Sequence, residues 1–362
     1  MSSVTQNLAT PTSDWTSGEL ISFNIHIEDV GAAAILNRNM EDLEGGPVPP
    51  LVPKEIWENA SCPSWENGKD AEDGENAEDV RKFFRYLEFI ENGKGRDGGG
   101  GGGGTPTGTW SSTTNRVLDL MSFLLGLMEF DQSRSQSSGY SQSHGGGRRQ
   151  IQIQRRRDGG GEGGGGGLGG GTGGGGGSGG RAILRGVETT LPMPGGNVKA
   201  KLNLVVADKH QIYLIVYDCR SSFLSSNPEP RLIAQSIAAF AQTNVRRSNA
   251  GLPPYPGLYI PAIIMYASAP VFYRVPVTSG FVDAMRGGGY PGRMRVMRFV
   301  PPLGGGGGGG LGGREGGGGG GGGVGGNGGG RVERYKELGM VDLETRKVIL
   351  RCLQAFRNVV IM

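Results

Sequence analysis

The chain has 362 residues and a formal net charge of +3, with 37 basic and 34 acidic side chains, so charge alone indicates no partner. Glycine accounts for 72 residues without a Gly-X-Y period, which excludes collagen. The three cysteines and three histidines are scattered, which excludes a disulfide framework and argues against a zinc site.

The glycines are concentrated in three tracts, at 98–104, 159–180 and 304–330. Such tracts have high backbone entropy and no side chains to bury, so we expect disordered loops or linkers. They divide the chain into three predicted parts: an N-terminal extension with a short strand and a helix (1–97), a linker (98–114), and a core domain interrupted by Gly-rich loops at 158–180 and 304–330 (115–362).

Apolar periodicity predicts the first elements. From Ile21 to Ile27, apolar and polar residues alternate, which indicates a short strand with Ile21, Phe23, Ile25 and Ile27 on one face. Between Val80 and Ile90, and again over 115–130, apolar residues recur at helical spacing, so we predict one helix in each segment.

The segment 148–157 reads RRQIQIQRRR, with an alternating, strand-like centre. One interpretation is a basic cluster that contacts phosphate or serves as a nuclear address. The other is a solvated edge strand whose charges prevent unwanted pairing. The arginines concerned are Arg148, Arg149, Arg155, Arg156 and Arg157.

Residues 201–220 read KLNLVVADKHQIYLIVYDCR, two apolar runs around a polar break. This pattern predicts two antiparallel strands joined by a tight turn. Because both runs are almost entirely apolar, we expect the hairpin to lie inside a sheet covered on both faces. Its open end carries Asn203 on the first strand, with Asp218 and Arg220 on one face of the second.

After the hairpin, Asn227-Pro228 predicts the start of a helix that runs to about Thr243. Two strands (262–266 and 271–277), a short strand (295–300) and a C-terminal helix capped by Asp342 are predicted to follow. The alternation of helices and strands favours an α/β or α+β fold with a central mixed sheet flanked by helices.

Residues 251–273 are uncharged over a length that would suit a membrane span. Their five prolines favour strands and turns instead. The start of the chain also lacks the basic and then apolar pattern of a secretory signal. We therefore expect an intracellular protein, cytoplasmic or nuclear, with no membrane partner.

The order helix, strand, hairpin, helix, strand resembles the PD-(D/E)xK, restriction-endonuclease-like superfamily. More closely, the chain is similar to an expanded family of uncharacterised proteins from mushroom-forming fungi. The matching segments span most of the chain outside the glycine tracts; they read ELISFNI, FFRYLE, LIVYDCR followed by NPEPRLIAQSIAAF, PVFYRVPV, and LGMVDLETRKVILRCLQAF. The resemblance implies a restriction-endonuclease-like core.

It also implies a site. In the superfamily, an Asp of the first hairpin strand and the acid of the second hold Mg²⁺, and a Lys two residues further on positions or activates water. The corresponding residues are Asn203, Asp218 and Arg220. Asn203 is neutral, which leaves one anionic ligand, and Arg220 stays protonated, so it cannot act as a base.

Three further side chains are candidates for the same cleft: Gln235 on the following helix, and Asp208 or Glu188 as a second carboxylate. We predict a catalytically degenerate nuclease-like protein, with Asp218 as the metal ligand if Mg²⁺ binds and with nucleic acid contacted through the five arginines of 148–157. A non-enzymatic scaffold or protein-interaction module and an active Mg²⁺-dependent nuclease are the alternatives. No small-molecule cofactor is expected, and no protein partner is indicated.

Overall fold

Helices flank a seven-stranded mixed sheet in the computed structural model of this chain, which describes residues 12–44, 46, 49–62, 76–94, 111–131, 180–219, 227–304 and 328–361. The strands are β1 (Ile25–Asp29), β2 (Ala182–Met193), β3 (Gly196–Ala207), β4 (Ile212–Cys219), β5 (Gly257–Tyr266), β6 (Ala269–Thr278) and β7 (Met294–Phe299). Their order in the sheet is β1-β7-β6-β5-β4-β3-β2. The predicted central mixed sheet is therefore confirmed.

The helices are α1 (Ser17–Ser22), α2 (Ala32–Leu36), α3 (Met40–Glu44), α4 (Lys54–Glu58), α5 (Ala77–Lys94), α6 (Ser111–Leu127), α7 (Glu229–Asn249), α8 (Ser279–Arg286), α9 (Gly328–Leu338) and α10 (Leu343–Ile361), with a short 3-10 turn at Thr12–Asp14. The helices predicted at 80–90, 115–130, after Asn227-Pro228 and after Asp342 are confirmed as α5, α6, α7 and α10. The apolar residues that define α10 by their spacing are all buried: Val348, Ile349, Cys352, Leu353, Phe356 and Val360.

Strand pairing follows the connections. The hairpins β2–β3, β3–β4 and β5–β6 are antiparallel, whereas β4 and β5 are parallel, as a crossover through α7 requires. Strand β2 runs to Met193, and the chain turns back into β3 at Gly195, whose φ is +84°.

The central hairpin is buried on both faces, as its two apolar runs predict, because the successive residues 204–206 and 214–216 are all fully buried. Helices cover the two sides of the sheet. On one side, Phe272 of β6 meets Phe356 of α10 edge to face, with ring centroids 5.1 Å apart. On the other side, the hydroxyl of Tyr273, the next residue of β6, donates to Glu229 at the start of α7. These sides are called the α10 face and the α7 face below.

The N-terminal segment contributes to the same sheet and core. Its strand β1 pairs in parallel with β7 at the sheet edge. Arg346 of α10 is buried and donates to the backbone carbonyls of Ile56, Asn59 and Ala60. Desolvation lowers the pKa of this guanidinium to about 10. The proposed boundaries at 97, 98, 114 and 115 lie outside the residues whose side chains are described, so the division into extension, linker and core domain stays a prediction.

Two predictions were wrong in detail. The strand predicted over 21–27 starts only at Ile25, because Thr16 and Glu19 form a capping box that begins α1 and places Ile21 on that helix, exposed to solvent. The Gly-rich loop predicted over 304–330 was too long, because helix α9 begins at Gly328. The tract at 98–104, nearly all of those at 159–180 and 304–330, and the basic segment 148–157 lie outside the described residues.

The uncharged segment 251–273 forms β5, the start of β6 and the turn between them, as its prolines predict. Among the helices of the described ranges, none combines the length and the apolar character needed to cross a bilayer.

Candidate functional site

The predicted ligands Asn203 and Asp218 lie on opposite faces of the sheet. Leu204 of β3 is paired directly with Val216 of β4. Directly paired side chains share a face, and successive side chains alternate. Asp218, two residues after Val216, therefore points to the face of Leu204, whereas Asn203 points to the other. The structure does not bring the two predicted ligands together.

Asp218 belongs to the α10 face, because Val216 is in register with Ile263 of β5 and Ile263 with Phe272 of β6. Its side chain is buried. On that face, the next β3 residue toward the same end is Leu202, which is fully buried. An alkyl group thus stands where a second oxygen ligand would be needed beside Asp218.

Gln235 lies on α7, and thus on the Asn203 side of the sheet. Its Nε2 donates to the carbonyl of Lys201 at 3.0 Å, while its buried Oε1 has no hydrogen-bond partner among the described residues. The side chain ties α7 to β3 and does not accompany Asp218. Arg220 lies outside the described residues, as do the five arginines at 148–157.

Neither candidate for a second carboxylate joins Asp218. Asp208 organises the β3–β4 turn: its Oδ1 accepts from the backbone N–H groups of His210 and Gln211, each at 2.7 Å, and its Oδ2 accepts from the hydroxyl of Tyr213 at 2.8 Å. Glu188 is exposed on β2 and pairs across the strands with Lys201, on the Asn203 side. Within the described ranges, no three His, Cys, Asp or Glu side chains are grouped so as to hold a metal ion.

A different set of polar residues converges at the edge where β1, β4, β5 and β7 end. Arg298 of β7 donates Nε and Nη2 to the two oxygens of Asp29, at 2.6 and 2.7 Å. It also donates Nη1 to Oε1 of Glu229 at 2.7 Å, and the hydroxyl of Tyr273 donates to the same oxygen at 2.8 Å. We call these four residues the edge network.

The local structure explains this convergence. Asp29 is the last residue of β1, and the parallel register with β7 puts it directly beside Arg298, which is itself directly paired with Tyr273 of β6. Glu229 opens α7, where Asn227 accepts from its N–H at 3.1 Å and donates to its Oε2 at 3.2 Å. In open α/β sheets, ligand sites lie at this carboxyl edge.

Hydrogen bonds from the Arg298 guanidinium hold the pKa of Asp29 below its usual range. Burial raises the pKa of Tyr273 well above its usual range, and the charge of Glu229 adds to the rise. In this network one guanidinium, that of Arg298, binds two carboxylates, and the phenol of Tyr273 stays protonated. Both acids are fully engaged, so the arrangement joins β1, β6, β7 and α7 and presents no unpaired base.

Beside the network is a cavity of about 210 Å³. Burial raises the pKa of Tyr266, which keeps its phenol neutral, and the ammonium of Lys336 lies 4.6 Å from the centroid of that ring. Both residues line the cavity together with the edge network and with Val30, Val271, Val300 and Val332. It has mixed polar and apolar walls and balanced charge.

Sequence reasoning missed the edge network because its members are far apart in the chain and form no spaced motif. The one available signal is Glu229, an acid in the first turn of a helix after Asn-Pro, which favours the helix N-terminus. Its partners Arg298 and Tyr273 are ordinary strand residues in the sequence. They come together only through the order of the strands in the sheet.

No protein-family profile, curated protein or solved structure matches this chain. The likeness to fungal proteins and to PD-(D/E)xK nucleases therefore rests on the quoted segments and on the element order. The likeness stays a prediction.

Proposed function

We propose that this chain is a nuclease-like α/β protein that binds nucleic acid without cleaving it. The observation that carries the proposal is the register of the β3–β4 hairpin, which separates Asn203 from Asp218. A two-ligand Mg²⁺ site at these positions needs both side chains on one face, within a few ångströms of one ion. The hairpin that carries the superfamily's catalytic residues thus has no matching ligand pair here.

The element order supports the nuclease-like half of the proposal. Helix α6 is followed by β2, the β3–β4 hairpin, the crossover helix α7 and the parallel strand β5. This is the helix, strand, hairpin, helix, strand order on which the resemblance rests. Fold likeness alone does not assign a function, so binding needs its own test.

The test is a titration of the full-length protein with fluorescently labelled DNA and RNA, followed by anisotropy at several salt concentrations. Phosphate contacts release counterions, so we expect log K to fall linearly with log salt, with a slope of about −0.7 per contact for single strands. The same samples incubated with Mg²⁺ or Mn²⁺ should show no cleavage above a protein-free control.

Two results would overturn the proposal. Absence of binding at low salt would remove the nucleic-acid role and favour the scaffold alternative. Metal-dependent cleavage that Asp218→Ala abolishes would identify an active nuclease instead. Removal of the charges of 148–157, by changing its five arginines to Gln, measures the contribution that the sequence predicts for that segment.

A further inference from the structure

We propose that the end of the sheet at the β3–β4 turn binds the backbone and bases of a single-stranded nucleic acid. This inference rests on the proposed nucleic-acid function and names the surface responsible for it. The surface, called the turn surface, consists of Arg181, Lys209, Tyr213, Arg246, Arg247 and Tyr255. It lies at the opposite end of β4 from the edge network, about 23 Å away for an eight-residue strand.

Five separate segments supply these residues, with Tyr213 near the start of β4. Arg181 immediately precedes β2, and Lys209 is in the turn between β3 and β4. Arg246 and Arg247 are in the last turn of α7, and Tyr255 is in the loop that follows. The α7 crossover brings its C-terminal end back over the start of β4, where Thr243 accepts a hydrogen bond from the backbone of Ile212. The fold therefore assembles the cluster.

Hydrogen bonds join the cluster into one surface. The guanidinium of Arg246 donates to the backbone carbonyl of Asp208 at 3.4 Å, and Asp208 accepts from the hydroxyl of Tyr213. The hydroxyl of Tyr255 donates to the side chain of Gln211 in the same turn, at 3.0 Å. Both tyrosines are thus hydrogen-bonded to side chains of the β3–β4 turn.

The charge of this surface is strongly unbalanced. It has four cations, and the carboxylate in its own turn, that of Asp208, is occupied by two backbone N–H groups and a phenol. Across the described part of the chain, none of the four cations forms an ion pair with a carboxylate: Arg181, Lys209, Arg246 and Arg247. Uncompensated arginine and lysine are what a phosphate backbone requires.

Two of the arginines lie against tyrosine rings. The guanidinium carbon of Arg181 is 4.0 Å from the ring centroid of Tyr213, and that of Arg247 is 3.8 Å from the centroid of Tyr255. Arg247 is further fixed by hydrogen bonds to the carbonyl of Pro253 and the hydroxyl of Tyr255. A guanidinium held in a defined plane costs less entropy to stack on a ligand than a free one.

This combination selects single strands. Unpaired bases stack on aromatic rings and on guanidinium planes, and stacking is worth about 1–3 kcal/mol per base. In a duplex the base faces are hidden, so only the phosphate attraction would remain. Charge accounts for affinity at this surface, and the stacked Arg–Tyr pairs account for the preference for unpaired bases.

The experiment compares three forms of the full-length protein by anisotropy, with labelled oligo-dT and oligo-U of about 20 nucleotides and a duplex of equal length. The test variant is Arg246→Gln with Arg247→Gln. The matched control is Arg331→Gln with Arg334→Gln, two exposed arginines of α9 near the opposite edge. Both double variants change the net charge equally. Circular dichroism melting verifies that each form is folded.

We expect the test variant to bind single strands about tenfold more weakly at low salt, with a salt slope smaller by about 1.4, because two phosphate contacts are lost. The control should stay within about twofold of the wild type. If the control loses affinity and the test variant does not, nucleic acid binds elsewhere and this inference fails while the proposed function stands. If the wild type binds no nucleic acid, the proposed function itself fails.

Two further variants keep the test decisive. Lys209→Gln removes an exposed cation of the turn and leaves the α7 contacts intact. We expect about threefold weaker binding. Unchanged binding would show that any loss in the α7 double variant came from misfolding and not from the lost charges. Arg247→Lys keeps the charge but removes the stacked guanidinium, so preference for single strand over duplex should fall. An unchanged preference, or equal wild-type affinity for duplex, would overturn the assignment to single strands.

Discussion

Arg298 donates to Oε1 of Glu229 across 2.7 Å, and this bond joins β7 to the first turn of α7. The side chain of Glu229 is only 8% exposed, whereas that of Arg298 is 31% exposed. A carboxylate so deeply buried is stable only with a charged donor. The pair therefore holds the carboxyl edge of the sheet together.

Arg298→Met should destabilise the protein by about 2–3 kcal/mol. The removal of one member of a buried ion pair costs about 3–5 kcal/mol, and the partial exposure of Arg298 reduces that cost. Asp29→Asn is the matched control, because it removes the other charge partner of Arg298. The side chain of Asp29 is 69% exposed. This change should cost at most about 1 kcal/mol in urea unfolding. Equal effects of the two changes would contradict this account.

The stability of the wild type should fall in acid more steeply than that of Asp29→Asn. Arg298 lowers the pKa of folded Asp29. A lowered folded-state pKa contributes stability that is present above the unfolded pKa, about 3.9, and is lost as pH falls through the folded value. Melting temperatures measured from about pH 6 down to pH 2 test this. Parallel curves for the two proteins would show that the Asp29–Arg298 bonds carry no free energy.

Phe356→Ala should cost about 3–5 kcal/mol, because the ring is fully buried against Phe272 under the sheet. The control is Tyr290→Ala, since this side chain is largely exposed and its loss should change stability by less than about 0.5 kcal/mol. Denaturant unfolding measures both. A small effect of Phe356→Ala would mean that α10 is peripheral to the core.

One of the three thiols should react quickly with a maleimide or a disulfide reagent at pH 8. Cys62 is exposed and Cys352 is buried. Burial, with the charge of Asp218, raises the pKa of Cys219 to about 11, so its reactive thiolate is scarce at that pH. Cys62→Ser should abolish the fast phase. A second fast thiol in folded protein would show that the edge around Cys219 opens.

Asn203→Asp combined with Arg220→Lys should not create metal-dependent cleavage. The change supplies a second carboxylate and a lysine, but the new carboxylate lies on the α7 face and Asp218 on the α10 face. Gel assays with supercoiled plasmid and Mn²⁺ detect even weak nicking. Cleavage by this variant that Asp218→Ala removes would mean that the two side chains reach one ion in solution.

Several features of the fold were predictable because they depend on neighbouring residues in the chain. The spacing of Val348, Ile349 and Phe356 predicts α10 and its buried side. The two apolar runs around Asp208 predict the β3–β4 hairpin. Local signals failed where a stronger local signal competed, as at Ile21, which the capping box of Thr16 and Glu19 places on a helix.

For the site residues, too, some properties follow from the local sequence and others only from the tertiary structure. The sequence by itself determined that Asp208 occupies a turn and that Asp218 and Glu229 stand next to apolar segments. It did not determine which face Asn203 shares, because a register shift of one residue moves a side chain to the other face. The edge network and the turn surface were decided only by the tertiary structure, since strand order and the α7 crossover bring Asp29 to Arg298 and Lys209 to Arg246. Residues so far apart in the chain meet through the packing of the whole sheet, which no local pattern specifies.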